Sequence, residues 1–213
     1  GFFLANPVTT PDGGWFPLVF GLAIFILLTT WKRGRELLGE RLATDAMELK
    51  PFIENITESG VERVSGTAVF LTPNLKLVPH AMLHSLKHYK ALHEQVIVLS
   101  VEVFDVPFVP DIDRVEVHRL NGNFSQVTVQ YGFKDEPDIP AALAQCAEAG
   151  LDIDMMDTSF FLGRETLIPK LGSEMAYWRE LLFVVMFRNA GSATAFFKVP
   201  SNRVVELGSQ VVL

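Results

Sequence analysis

An α/β fold built on one mixed sheet, preceded by one transmembrane helix, is the architecture this sequence predicts, and three stretches predict it. Trp15 to Trp31 (WFPLVFGLAIFILLTTW) runs for 17 residues without a charge. Gln95 to Phe104 (QVIVLSVEVF) is continuous, apolar and β-branched, as expected of a central strand covered on both faces. VEVHRL and FSQVTVQYGF alternate apolar with polar residues on either side of Asn121-Gly122-Asn123, a hairpin pattern.

The apolar run is long enough to matter. At 1.5 Å rise it gives about 25 Å of helix, close to a bilayer core of about 30 Å. Pro17 stands in the first turn, where its missing N–H breaks no intrahelical bond. Trp15 and Trp31 bracket the run at the depth that amphipathic rings prefer, and Lys32, Arg33, Arg35 and Arg41 follow it. Trp15, Trp31, Lys32, Arg33 and Arg35 are therefore the expected membrane-interface residues. Nothing basic precedes the run and Asp12 does, which places Lys32 onward in the cytoplasm. A secretory signal would need the basic residues first and a small-residue cleavage site after; a buried core helix, also apolar all round, would not need paired Trp borders or a one-sided basic flank. Residues 1–14 read as the end of a preceding membrane helix (GFFLAN) and an external loop (NPVTTPDGG).

Residues 32–57 form an amphipathic connector, with Gly39 and Pro51 as its breaks, expected to lie under the membrane. Residues 58–213 form the cytosolic domain. There, after a turn-like TESGVERVSG, Gly66 to Thr72 is a strand, residues 79–93 a helix, and Gln95 to Phe104 the next strand, a βαβ unit. The hairpin follows. Residues 138–150 read as a helix ended by Gly150, MMDTSFFLG as a strand, and residues 173–188 as a helix with Ser173 at its N-cap.

The composition narrows the function. A formal net charge of −7 opposes nonspecific nucleic-acid binding. The single cysteine, Cys146, excludes an internal disulfide framework, and among alanines on a helix it reads as a small buried hydrophobe. His80, His84 and His88 recur at helical spacing, but no carboxylate or thiolate completes a metal set, and they fall opposite Met82, Leu83, Leu86 and Tyr89, the expected core stripe. His93 falls on the apolar side. Asp152, Asp154 and Asp157 lack the glycine turn and distal Glu of a calcium loop and read as a solvated strand edge. GxGxxG and GxxxxGK[ST] are absent, so Gly163-Arg164 at a strand end is the one hint of a nucleotide effector. No cofactor, catalytic residue or metal site is expected, and the chain is not expected to be an enzyme. Leu181 to Phe187 (LLFVVMF) is more apolar than one packed face needs, so it either crosses the domain core or buries a second face against a partner, and a homodimer is the working expectation.

The strings PDGGWFPL, TWKRGREL, SGTAVFLT, LHSLKHYKALHE, DTSFFLGRE and FFKVPSNRVVELGSQVVL, in this order, resemble the C-terminal part of the KUP/HAK/KT potassium transporters, the bacterial Kup proteins in particular. The resemblance implies a low-affinity potassium uptake permease of the bacterial inner membrane, a multi-pass proton symporter. This chain would supply its last helix and cytosolic domain. The lipid bilayer, the remaining transmembrane bundle, a second copy, K+ and H+ are the implied partners. The family's ion sites lie on earlier helices, so no ion-binding residue is assigned here. In agreement, the uncharged run offers no Asp, Glu, Lys, Arg or His. The external loop lacks the basic residue expected before Gly13-Gly14-Trp15. A membrane-tethered soluble nucleotide-binding or stress-type domain is the alternative.

Overall fold

The computed structural model describes residues 15–44, 46–121, 123–170, 174–191 and 193–212. The expectations for residues 1–14, for Gly122 and for Ser173 lie outside these residues. The chain divides into two compact units. One gathers the described residues up to Thr44 with those of 167–190 and 210–212; the other comprises 46–166 and 191–209.

The sheet has six strands: β1 (Glu62–Leu71), β2 (Ala91–Phe104), β3 (Val115–Asn121), β4 (Phe124–Gly132), β5 (Thr158–Ile168) and β6 (Val204–Val212), in the order β3-β4-β2-β1-β5-β6; all but the last residues of β5 and β6 belong to the larger unit. β1 runs parallel to β2 and β5, β2 parallel to β4, and β3 antiparallel to β4. The sheet is therefore mixed, as the sequence predicts. Successive residues of β2 serve opposite faces: Val96 and Val98 enter one cluster, Ile97 and Leu99 the other. Full burial of each such side chain contributes about 1.5–3 kcal/mol.

Helix α2 (Leu49–Glu58) closes the first face with Leu49, Phe52, Ile53 and Ile56, joined by Ala81 and Met82 of α3 (His80–Tyr89). The α2 pattern is amphipathic, and its partner is the sheet rather than a bilayer. Pro51 sits in its first turn, where it breaks nothing. The second face is closed by α4 (Ile139–Gln145), started by Pro140 and by the Asp138 carboxylate, which accepts the Ala141 N–H at 2.9 Å.

Several boundaries differ from the sequence reading. β1 begins at Glu62, inside the stretch read as a turn, and carries an irregularity between Val64 and Thr67. Gly66 lies there at φ +94°, and a Cβ would meet the Asp157 carbonyl oxygen at 2.7 Å, so glycine is required twice over. α3 stops at Tyr89 because Lys90 turns left-handed (φ 56°), which leaves Tyr89 63% exposed instead of in the core. Asp154 caps a short turn, its Oδ1 accepting the Met156 N–H at 2.8 Å, and β5 lies between β1 and β6. The three aspartates therefore precede an interior strand and do not protect an edge. The last strand, β6, was not expected at all.

The smaller unit holds α1 (Trp15–Thr44), which continues through Gly39 without a break, and α5 (Tyr177–Arg188), preceded by Ala176 in the cap position. Leu37, Leu38, Leu167, Met175, Phe183 and Val184 are its buried core.

Candidate functional site

The apolar first half of α1 has almost no protein around it. Only 6% of its most apolar 18-residue window is buried, and Phe16, Leu18, Phe20, Leu22, Phe25 and Leu28 all stand exposed. A core helix of a soluble protein would be covered along such a run. With a mean hydropathy of 1.6 over that window, α1 is long and apolar enough to cross a membrane.

The five interface residues of the sequence reading divide into two groups. Trp15 is exposed at the start of the helix, and Lys32 and Arg35 are exposed with no ion pair among the described residues. Trp31 and Arg33 instead have protein partners. The Trp31 ring meets Phe183 edge-on at 5.6 Å, and Arg33 Nη2 donates to Glu174 Oε2 at 2.7 Å. Next to them Arg179 Nε donates to Thr30 Oγ1 at 3.0 Å, which accounts for a fully buried threonine in a lipid-suited helix. Gly34 lets the two helices close: a Cβ there would stand 2.4 Å from Phe183 ring carbons.

Sequence reading missed Glu180. It is fully buried on α5; Oε2 accepts the Lys170 N–H at 3.1 Å and Oε1 has no partner among the described residues. The one available signal was a carboxylate falling on the same helix face as Phe183 and Val184.

In the larger unit the structure separates the other candidates. His84 and His88 stack at 6.1 Å, and among the described residues no three His, Cys, Asp or Glu gather as metal ligands. His93 belongs to β2, with Phe161 edge-on at 5.7 Å; burial lowers its pKa, with Asp157 opposing. β5 continues to Ile168, so Gly163-Arg164 lies within the strand and not at its end, and Arg164 is already paired with Glu206 at 3.0 Å. A cavity of about 610 Å³ lies among Asp111, Ile112, Val115, Gln145, Glu148 and Ala149. Its two carboxylates and lack of a lining Lys or Arg suit a phosphate poorly. Cys146 is buried, and burial pushes its thiol up to about 11. It should therefore resist a maleimide at pH 8 in the native chain and react fully after denaturation, as counted by mass spectrometry.

A polar clamp, also missed, joins the carboxyl ends of β2 and β4. The Asp135 carboxylate accepts the N–H groups of Val109 (3.0 Å) and Gly132 (2.7 Å), with Arg114 Nη1 at 3.5 Å. Arg114 also donates to the Val109 carbonyl at 2.7 Å and lies 5.0 Å from the Tyr131 ring centre. The Val109 and Gly132 donors, with Arg114, hold the Asp135 carboxyl below the usual range. A depressed carboxylate stabilises the fold above its unfolded value of about 3.9, and that stabilisation disappears as pH falls through the lower native value. The melting temperature should therefore fall below about pH 4. Asp135→Asn should start lower at neutral pH and show a shallower acid decline.

The family described as the K+ potassium transporter C-terminal domain matches residues 65–213. The chain is 82% identical over 213 residues to "Probable potassium transport system protein Kup 3" of Dechloromonas aromatica, and 63% identical over 212 residues to Kup 1 of the same organism; all of this chain and 34% of each relative are covered. It is 59% identical over 212 residues to "Probable potassium transport system protein Kup" of Aromatoleum aromaticum, again over all of this chain and 33% of the relative. The chain thus spans about a third of the length of these curated relatives. No solved structure matches it.

Proposed function

This chain belongs to the potassium transporter family, the Kup proteins, and from that membership we propose that it is the C-terminal part of a K+:H+ symporter, supplying a membrane span and a regulatory domain but no ion site. The carrying observation is the match of the whole chain, span included, to proteins named for potassium transport. A family of transporters is not one of enzymes.

Three features support the remaining detail. The first half of α1 is largely exposed and free for lipid or for further membrane helices of the same protein. Its cations follow the apolar run, which favours a cytoplasmic α/β domain on a multi-pass inner-membrane protein, with Trp15, Trp31, Lys32, Arg33 and Arg35 at the two interfaces. Its uncharged run leaves K+ and H+ to residues outside this chain. The tethered nucleotide-binding alternative loses ground, because the chain spans only about a third of the length of relatives named for potassium transport.

The test is K+ uptake by the full-length protein with and without residues 46–213, in cells lacking other K+ uptake. The cut falls ahead of α2 because α2 packs on the sheet. Altered uptake or lost regulation, with the truncated protein still in the membrane, supports a regulatory domain. Uptake and regulation both unchanged would remove that role.

Homodimerisation is a second reading, supported by apolar side chains left exposed where β2 and β4 end: Val103, Val106, Phe108 and Phe133. A monodisperse monomer in light scattering of the detergent-solubilised transporter would exclude it.

A further inference from the structure

Helix α5 buries one side and leaves another apolar side bare. Glu180, Phe183 and Val184 are buried, while Tyr177, Trp178, Leu181 and Val185 are exposed by 44%, 56%, 43% and 56%. The exposed four recur at spacings of three and four, so they form one stripe, and exposed Arg188 ends it. A stripe in water would carry charges along its length. This one carries two aromatic residues with polar tips, the side chains that favour the boundary between lipid and water.

The height of α5 is set by α1. Its polar and ring contacts begin at residues 30–34, with Arg179 on Thr30, Phe183 on Trp31 and Gly34, and Glu174, just ahead of the helix, on Arg33, and its apolar cluster continues to Leu37 and Leu38. Residues 30–34 are where the uncharged run ends and the cations begin. The near end of α5 therefore sits at the headgroup layer if α1 crosses the bilayer.

We propose that α5 is a second, non-spanning membrane contact, with Tyr177, Trp178, Leu181 and Val185 seated in the lipid–water boundary beside α1. Lipid is the occupant for three reasons: the stripe lies at boundary depth, it adjoins a helix already bare along its apolar half, and its aromatic residues suit that layer. Exposed Lys32 and Arg35 lie at the same height for anionic headgroups. The proposal rests on the reading of α1 as a membrane span.

The test uses the full-length transporter, freed of other reactive cysteines and reconstituted in vesicles, with a nitroxide label at Trp178→Cys or, separately, Leu181→Cys. Both side chains are exposed, so neither substitution opens a cavity. Expected is a collision rate with oxygen several-fold above that with a water-soluble nickel chelate, relative to a label at Arg164→Cys, an exposed position within β5. Equal access to both, as at Arg164→Cys, would overturn the proposal. Low access to both would overturn it as well, because a membrane helix or a second copy would then cover the stripe. Labelling of Trp15→Cys and Arg41→Cys from opposite sides of sealed vesicles reports the span independently. Its failure would sink the spanning reading itself, whereas failure at positions 178 and 181 alone sinks only the lipid contact.

Discussion

Phe183→Ala is expected to release α5 from α1. The ring is fully buried, meets Trp31 at 5.6 Å and Phe187 at 5.8 Å, and fills the space that Gly34 leaves open. Truncating a buried Phe costs about 3–5 kcal/mol, from lost transfer energy and from the cavity left behind. At about 1.4 kcal/mol per tenfold, local opening of α5 should become at least roughly a hundredfold more frequent. Amide hydrogen exchange of residues 177–188 in the reconstituted transporter measures this. Gly34→Leu should act in the same direction by forcing the ring out. Unchanged protection of α5 in both variants would show that the two helices are not held by this contact.

Gly132→Ala is expected to be among the most damaging single methyls in the larger unit. A Cβ there would stand 2.5 Å from the Pro107 carbonyl carbon and oxygen and 2.6 Å from the Phe108 nitrogen. Backbone cannot rotate away as a side chain can. The loop must shift, and with it the Asp135 carboxylate that accepts N–H groups from both Val109 and Gly132. Overpacking costs about 1–3 kcal/mol, and loss of these part-buried hydrogen bonds adds to it. Gly208→Ala is the control, since nothing lies within 4 Å of its Cβ position. Thermal unfolding of the solubilised chain should fall by several degrees for the first and stay unchanged for the second; equal behaviour would refute the steric argument.

How much of this was legible depends on which forces leave a mark in sequence. Continuous burial does, so β2 was found, and alternation around Asn121 and Asn123 revealed the hairpin. β6 did not announce itself: Gly208, Ser209 and Gln210 interrupt its apolar residues, and pairing to β5 rather than its own pattern makes it a strand. Gly39 looked like a break, yet α1 runs through it; the roughly 1 kcal/mol that glycine costs in a helix is outweighed by burial of Leu37 and Leu38 just before it. Tyr89 was placed in the core by helical periodicity alone, and the left-handed Lys90 ended the helix at that residue. Glu180 and the Asp135 clamp depend on partners at distant positions, and nothing local foretells them. For the candidate site, the apolar run and its flanking cations were plain in the letters. That Trp31 and Arg33 would face α5 was not.

The unbroken course of α1 has a mechanical meaning. Thirty residues make a rod about 45 Å long, longer than the roughly 30 Å of a bilayer core. If α1 crosses a membrane, the surplus emerges as a stiff shaft that carries the turn gripped by Phe183 and then Leu37 and Leu38, with no break in the helix. Any tilt or twist imposed on the apolar end must then arrive undamped at Leu37 and Leu38, and a strain applied there must travel back the same way.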